Sequence, residues 1–287
     1  MTTEAVFNGR FSFEFFPPKT DKGTEKLRQV REQLATRNPD FFSVTYGAGG
    51  STRDKTFSTV KEVKQAGYQV APHLSFGGDD SDAVLELLTQ YQQQGINRIV
   101  ALRGDLPSGV GPQAHLVYAS ELVAFIKKHF GDAFHLEVAC YPESHPDSAN
   151  MDKDLEYFKQ KVDAGADSAI TQYFYNADAY FYYLERTQKL GIDIPIYAGI
   201  MPITNFASLQ RFSNMCGAEI PRWIGKQLEA YGDDLESVKA FGLDVVTDLC
   251  ETLLEGGAPG MHFYTMNQVE PTLSIWDNLG LNNVTPA

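Results

Sequence analysis

The chain has 287 residues, of which 43% are hydrophobic and 21% charged, and its formal net charge at pH 7 is -13. This composition is typical of a globular protein, and the negative charge argues against nucleic acid or an anionic membrane surface as a partner. The cysteines (Cys140, Cys216 and Cys250) are widely spaced and form no C-x-x-C motif, so we expect neither a disulfide framework nor a metal site. Residues 1–5 lack the features of a signal peptide and no apolar run is long enough to span a bilayer, which predicts a cytoplasmic protein.

The first strong local signal is the run Phe-Ser-Phe-Glu-Phe-Phe-Pro-Pro at residues 11–18. It predicts a short strand, because aromatic residues favour strands and the two prolines end it. Alternation places three phenylalanines on one face and the other side chains on the opposite face: Phe11, Phe13 and Phe15 against Ser12, Glu14 and Phe16. Burial without a partner would raise the pKa of the Glu14 carboxyl and make it a general acid near neutral pH. The alternative is an edge-strand glutamate that reaches water or pairs with an arginine.

Further strands and helices alternate along the rest of the chain. Strands are predicted at residues 41–46, 69–74, 98–102, 135–141, 168–173, 194–200 and 260–265. Helices are predicted at about residues 22–37, 54–66, 80–94, 118–128, 152–164 and 177–190, then in a long stretch after residue 200, and briefly near the end. The last helix of the long stretch has one apolar face and closes at Gly256-Gly257, the face being Leu235, Val238, Phe241, Val245 and Leu249.

Eight strands that alternate with helices predict parallel βα units closed into a TIM-type (β/α)8 barrel, with residues 1–287 forming a single domain. The alternative is an open doubly wound sheet, but no G-x-G-x-x-G follows the first strand. The active site of such a barrel lies at the C-terminal ends of its strands. Barrel interiors are usually filled by branched apolar residues, but polar residues stand at the C-terminal ends of these predicted strands. They are Glu14, Thr45, His73, Arg103 with Asp105, Tyr141 with His145, Gln172 and Tyr264.

Other features of these ends have two interpretations each. Residues 47–50 (Gly-Ala-Gly-Gly) are either a phosphate-binding loop or a plain βα turn. Residues 103–105 (Arg-Gly-Asp) are either a local ion pair or a turn whose glycine admits a flat ligand. His73 and His145 are expected to form hydrogen bonds rather than bind a metal, and no G-x-S-x-G nucleophile motif occurs.

Several segments resemble one family when they are read together. They are FEFFPP at 13–18, SVTYGA at 43–48, APHL at 71–74, ALRGDLP at 101–107, YPE at 141–143 with His145-Pro146, Thr171-Gln172, and HFYT at 262–265 with Asn267. In content and order they resemble 5,10-methylenetetrahydrofolate reductase, most of all its short bacterial form. The resemblance implies an eight-stranded α/β barrel with non-covalently bound FAD, which agrees with the strand count.

The resemblance also implies a ping-pong reaction that feeds methionine synthesis. NADH or NADPH reduces FAD and leaves, and the flavin then passes a hydride to the one-carbon bridge of methylenetetrahydrofolate. Ring opening requires a proton on the folate N10, and Glu14 matches the family's acid. Asp105 matches a residue beside the flavin, where a negative charge lowers the flavin potential.

Binding residues follow from the same matching. FAD contacts fall on Thr45, Tyr46, Ala48, His73, Arg103, Gly104, Asp105, Tyr118, Ala119, Tyr141, His145, Asp154 and Lys161. Substrate contacts fall on Gln172, Phe212, Tyr264 and Gln268, although Phe212 is also explained as ordinary helix core. The family suggests a homo-oligomer, and the choice between NADH and NADPH stays open.

The chain departs from the bacterial pattern at four positions. Ser208 and Gln268 replace a familiar Gln and Arg on the folate side, and Tyr157 and Gln160 replace Asn and Arg near the FAD phosphates. The alternatives to this reductase are a partner-fed reductase of a related one-carbon carrier and a non-catalytic flavin-binding protein on the same barrel.

Overall fold

The computed structural model describes residues 9–46, 53–76, 81–103 and 118–281. Its strands form a closed barrel in chain order, with the first strand paired in parallel to both the second and the eighth. The strands are β1 (Arg10–Phe15), β2 (Phe41–Val44), β3 (Val70–Leu74), β4 (Arg98–Ala101), β5 (His135–Cys140), β6 (Ser168–Thr171), β7 (Ile196–Ile200) and β8 (Gly260–Tyr264). The predicted TIM-type barrel is therefore confirmed, and the open sheet is wrong.

Ten helices lie in the described part of the chain. They are α1 (Asp21–Ala35), α2 (Arg53–Gln65), α3 (Ser81–Gln93), α4 (Ala119–Phe130), α5 (Met151–Asp163), α6 (Ala177–Lys189), α7 (Phe206–Cys216), α8 (Arg222–Tyr231), α9 (Leu235–Glu255) and α10 (Thr272–Asn278). The long stretch after β7 is thus three helices. None of the ten has the combined length and hydropathy that a membrane span requires.

Several predicted strands were too long at their C-terminal ends. β2 ends at Val44, β5 at Cys140 and β6 at Thr171, where the predictions continued for one or two residues. The backbone N–H groups of Thr45 and Gln172 still donate to the neighbouring strand, but the chain then turns outward into the βα loops. These short extensions carry side chains of the candidate site to the barrel mouth.

Helix α9 largely confirms its predicted face. Val238, Val245 and Leu249 are buried, Phe241 is half-buried, and the helix ends with Gly256 as its C-cap. Leu235 is wrongly placed on that face: it is the first helical residue and is exposed, because the helix begins beyond the edge of the core.

The two faces of β1 are as predicted. Phe11, Phe13 and Phe15 point outward into the layer between the sheet and the helices, where all three are buried. Phe11 packs edge-on against Trp276 at 4.9 Å between ring centroids. Ser12 and Glu14 point into the barrel, so the carboxylate enters the interior rather than an open sheet edge.

The barrel interior is built in layers of different chemistry. Toward the N-terminal ends of the strands, Arg98 pairs with the fully buried Glu137, which also accepts a hydrogen bond from Ser168. An apolar cluster adjoins this pair and consists of Phe41, Ala71, Val100, Ile170 and Tyr197. Toward the opposite end the interior turns polar again, and this end holds the candidate site.

Candidate active site

Glu14 lies at the rim of the barrel interior, and the register of the strands determines its neighbours. It is paired with Ser43 on β2 and with Tyr264 on β8. Glu14 Oε2 lies 3.2 Å from His73 Nε2 and 3.4 Å from His262 Nε2, and the Ser43 hydroxyl donates to the same oxygen at 3.4 Å. The Glu14 side chain is 17% exposed. One carboxylate oxygen therefore faces two imidazoles and a hydroxyl at the edge of solvent.

The expectation of a raised Glu14 pKa is wrong for this arrangement. Burial raises the pKa, but His73 and His262 together outweigh burial and lower it from 4.5 to about 2. The aromatic residues beside Glu14 in the sequence point to the other side of the strand, whereas the histidines come from β3 and β8. Glu14 is thus a carboxylate at neutral pH here, and it has to take up a proton before it can donate one.

A cavity of about 330 Å³ opens at the same end of the barrel, at the C-terminal ends of β4 and β5. Eight of the residues matched to FAD contacts line it: Tyr46, Arg103, Tyr118, Ala119, Tyr141, His145, Asp154 and Lys161. Tyr157 and Gln160, two of the departures from the bacterial pattern, line it as well. The fold therefore brings together residues that are spread over more than a hundred positions of the sequence.

Two cations line the cavity, Lys161 and Arg103, and their partners within the described residues do not use all of their N–H donors. Lys161 Nζ donates to the Ala139 carbonyl at 2.6 Å, and burial lowers the Lys161 pKa. Arg103 is paired with Asp147 at 2.7 Å, and this hydrogen bond lowers the Asp147 pKa. Because Lys161 has two further N–H donors and Asp147 is exposed, both cations can turn to an anion in the cavity.

The first turn of α4 adds to the affinity of the cavity for anions. Tyr118, Ala119 and Ser120 line the cavity at the N-terminus of this helix. The positive end of the helix dipole favours negative charge there, and the Glu121 carboxylate already accepts the Tyr118 N–H at 2.7 Å. Nearby, the rings of Tyr141 and His145 meet edge to face at 4.6 Å between centroids. Burial and the neighbouring Arg103 lower the His145 pKa.

The remaining predicted FAD contacts lie elsewhere. Thr45 is buried, and its Oγ1 has no hydrogen-bond partner in the described part of the chain. His73 lies against Glu14 and lines a small adjoining pocket together with Tyr46. Ala48, Gly104 and Asp105, with the rest of the glycine-rich 47–50 stretch, fall outside the described residues.

Tyr264 crosses the barrel mouth from β8 to β6. Its hydroxyl donates to the Thr171 carbonyl at 2.8 Å. Gly199 on β7 makes room for this crossing, because a Cβ there would lie 2.1 Å from Thr171 O and 2.8 Å from Tyr264 Cε2. Next to Thr171, the Gln172 Oε1 accepts the backbone N–H of Tyr173 at 3.0 Å, which orients the Gln172 amide.

Helix α7 is hydrogen-bonded to the same end of the barrel. The hydroxyls of Tyr173 and Ser213 are hydrogen-bonded at 2.9 Å, which ties the helix to the segment after β6. Phe212 is half-buried on α7, packs against the core, and carries the Arg211 guanidinium 5.2 Å above its ring. Both interpretations of Phe212, as core and as ligand contact, are compatible with this position.

The two departures on the folate side lie at different points of the mouth. Ser208 sits in the first turn of α7, where its N–H donates to the N-cap residue Asn205 at 2.9 Å. Gln268 follows β8, is exposed, and donates its backbone N–H to Thr265.

Sequence reasoning did not single out His262, whose Nε2 lies 3.4 Å from Glu14 Oε2 inside the barrel. A signal for it existed: His262 and Tyr264 are two residues apart on β8, so they share the inward face. Without the barrel register, however, nothing in the sequence pairs residue 262 with residue 14.

Comparison with known proteins gives one consistent answer. A family model described as Methylenetetrahydrofolate reductase matches residues 4–280. The 5,10-methylenetetrahydrofolate reductase of Escherichia coli (strain K12) is 39% identical over 94% of this chain and 90% of its own length. The 5,10-methylenetetrahydrofolate reductase of Buchnera aphidicola subsp. Schizaphis graminum is 41% identical over 94% of this chain and 91% of its own length.

Two further likenesses are more distant. A protein of Oryza sativa subsp. japonica described as probable methylenetetrahydrofolate reductase (NADH) is 37% identical over 97% of this chain, which spans 50% of the rice protein. A solved Clostridium thermocellum structure, described as an uncharacterized protein that binds two copies of 5-methyl-5,6,7,8-tetrahydrofolic acid, matches with a TM-score of 0.65 at 18% identity, covering 96% of this chain and 94% of that one. This last likeness supports the barrel fold alone. The family model and the bacterial relatives show that the chain belongs to the methylenetetrahydrofolate reductase family and is an oxidoreductase.

Proposed function

We propose that residues 1–287 act as one catalytic domain that binds FAD non-covalently and uses NADH or NADPH to reduce 5,10-methylenetetrahydrofolate to 5-methyltetrahydrofolate. The observation that carries the proposal is the position of the cation-bearing cavity. It opens at the C-terminal ends of β4 and β5, at the same end of the barrel as Glu14. The family membership supplies the substrate class.

The residues present fit FAD. Arg103, Lys161 and the N-terminus of α4 suit its pyrophosphate, and the rings of Tyr141 and His145 suit its aromatic parts. Thr45 Oγ1 lies outside the cavity lining but is buried without a hydrogen-bond partner among the described residues, so it is a further polar atom that a bound ligand would satisfy. FAD held there would supply the two-electron chemistry that no side chain provides.

The chain's own residues are proposed to bind the folate and to move a proton. Gln172, Phe212, Tyr264 and Gln268 would contact the substrate, and Gln172 offers an oriented amide to a pterin edge. Glu14 would deliver the proton to the folate N10 that opens the five-membered ring. Its place at the rim supports this role, since the side chain is accessible from the mouth and is hydrogen-bonded from within.

The other proposed features rest on the family match. Asp105 is proposed to lower the potential of the bound flavin through its negative charge. The nicotinamide nucleotide and the folate would use the site in turn, in a ping-pong sequence that feeds methionine synthesis. We also propose a cytoplasmic homo-oligomer; the three unpaired cysteines agree with a reducing compartment.

An anaerobic absorbance experiment on the purified protein tests the proposal. We expect a flavin spectrum that NADH bleaches and that methylenetetrahydrofolate restores. A yellow protein that NADH and NADPH both fail to bleach would favour the partner-fed reductase, and one that is bleached but not restored would favour a reductase of another carrier. A colourless protein that takes up no added FAD would refute the proposal.

A further inference from the structure

A buried polar cluster lies directly beneath Glu14 and consists of Ser12, Ser43 and His262. Ser12 Oγ lies 2.6 Å from His262 Nδ1, and Ser43 Oγ lies 3.3 Å from His262 Nε2. His262 Nε2 is also 3.4 Å from Glu14 Oε2. The cluster is closed to solvent, since the His262 side chain is 1% exposed and Ser43 is fully buried. Its route to the reacting molecules therefore runs through Glu14.

This cluster differs from the interior cluster of Arg98, Glu137 and Ser168 at the opposite end in that it adjoins the candidate site through Glu14. Polar groups inside a barrel cost stability unless they are hydrogen-bonded, and apolar residues fill the adjoining layer around Phe41. The polar layer is instead arranged around the two nitrogens of one histidine.

The hydrogen bonds leave one nitrogen of His262 for exchange with Glu14. Ser12 occupies Nδ1, so Nε2 is the nitrogen that faces the carboxylate. The Ser43 hydroxyl is within 3.3 Å of His262 Nε2 and 3.4 Å of Glu14 Oε2, so it can donate to whichever atom lacks the proton. Both positions of a proton between Glu14 and His262 are thus hydrogen-bonded without movement of the backbone.

We propose that His262 is a positioning residue that stores the proton delivered by Glu14, with Ser12 orienting the imidazole and Ser43 stabilising both positions of the proton. The inference rests on the proposed function, because it assigns the source of the proton that Glu14 donates to the folate.

The proton passes in two steps from His262 Nε2 to Glu14 and from Glu14 to the folate N10. The His262 Nε2–H bond breaks as an O–H bond forms on the Glu14 carboxylate, and the imidazolium becomes a neutral imidazole whose Nε2 accepts from Ser43. The Glu14 O–H bond then breaks as an N–H bond forms on the folate N10, which leaves Glu14 as a carboxylate again. No electrons are exchanged in these steps, and solvent restores the proton through the mouth.

The charged and titratable groups around Glu14 are few in the described part of the chain. His73 faces it from β3, and His262 and Tyr264 face it from β8. Ser43 on β2 contributes a hydroxyl. His73 is more exposed than His262, at 11% against 1%, and lies on the mouth side. His262 is therefore the imidazole whose proton is shielded from water.

The substitution His262→Gln keeps a hydrogen-bonding side chain but removes the imidazole. The chain offers a matched control in His135→Gln at the opposite end of the barrel. There His135 Nε2 lies 2.6 Å from Ser168 Oγ and 3.4 Å from Glu137 Oε1, so it forms a similar His–Ser–Glu cluster. Ser12→Ala is the milder second variant, since it removes only the Nδ1 partner and leaves a smaller volume change.

Two readouts are measured on the FAD-loaded proteins. In single-turnover reoxidation by methylenetetrahydrofolate, we expect His262→Gln to be about 10- to 100-fold slower at pH 7, less than the 10²- to 10⁴-fold typical when the general acid itself is lost. The alkaline limb of the pH profile of this reoxidation rate should move to lower pH in His262→Gln. NADH should reduce the flavin of this variant at the wild-type rate. Ser12→Ala should change the reoxidation rate and the alkaline limb in the same direction but by a smaller amount. His135→Gln should match the wild type in both quantities.

The second readout needs no substrate. Infrared titration of the Glu14 carboxylate, identified by its absence in Glu14→Gln, should show protonation at higher pH in His262→Gln, because one of the two lowering partners is gone. If neither the pH profile nor this titration differs from the wild type, the inference is overturned while the proposed function stands. If methylenetetrahydrofolate does not reoxidise the wild-type flavin, the proposed function fails. The role of His262 as proton store then fails as well, even if the infrared titration shows that Glu14 and His262 are coupled.

Discussion

Acid should destabilise this protein partly through Glu14, and Glu14→Gln should remove that part. His73 and His262 lower the Glu14 pKa to about 2 in the folded protein, against 4.5 ordinarily. A carboxyl whose folded pKa is lowered adds stability above its unfolded pKa and loses it as pH falls through the folded pKa. The relevant window is therefore between about pH 4.5 and pH 2.

The structure sets the size of this effect. Each pKa unit corresponds to about 1.4 kcal/mol, so the full lowering amounts to about 3 kcal/mol. At pH 3, part-way through the window, the wild type should have lost about 2 kcal/mol through Glu14. Solvent screening should reduce this only slightly, because the side chain is 17% exposed.

The assay is equilibrium urea unfolding at pH 7 and at pH 3. We expect the loss of unfolding free energy between the two to be about 2 kcal/mol smaller in Glu14→Gln than in the wild type. Asp40→Asn is a control of opposite sign, because burial raises the Asp40 pKa and its protonation in acid favours the folded state. Equal losses in wild type and Glu14→Gln would refute the claim that the two histidines stabilise the carboxylate.

Three further substitutions test other parts of the site. Gly199→Ala should destabilise the fold by about 2–4 kcal/mol, because its Cβ would overlap the Thr171 carbonyl and displace the Tyr264 hydroxyl from it; an unchanged urea midpoint would contradict this. Asp105→Asn should raise the flavin potential and slow reoxidation by folate, as measured by redox titration; an unchanged potential argues against an electrostatic role. Gln268→Arg should tighten binding of polyglutamylated folate more than of the monoglutamate in equilibrium titrations, and equal affinities would mean that the glutamate tail is held elsewhere.

The fold was predictable because local signals repeat along the chain. Each strand is a short apolar run followed by a helix, and eight such units permit few arrangements. The inward direction of Glu14 was also predictable, since alternation along residues 11–16 separates it from the phenylalanines. Strand ends were not, because the residues after Val44 and Thr171 keep strand-like composition while they turn into loops.

The protonation state of Glu14 could not be read from the sequence. It depends on His73 and His262, which are 59 and 248 positions away and come close only through the closed barrel. Neighbours in the sequence suggested an apolar environment and hence a raised pKa, whereas neighbours in space lower it. The same reason explains why Ser12 was read as an ordinary strand residue although it binds His262.

The central claim is that Glu14 donates the proton that lets the folate be reduced, and the half-reactions of Glu14→Gln test it most directly. With the flavin followed by absorbance under anaerobic conditions, the variant should bind FAD and be bleached by NADH at the wild-type rate. Its reoxidation by methylenetetrahydrofolate should be slower by about 10²- to 10⁴-fold, the usual contribution of a general acid. Reoxidation at the wild-type rate would remove Glu14 from the mechanism and contradict the account.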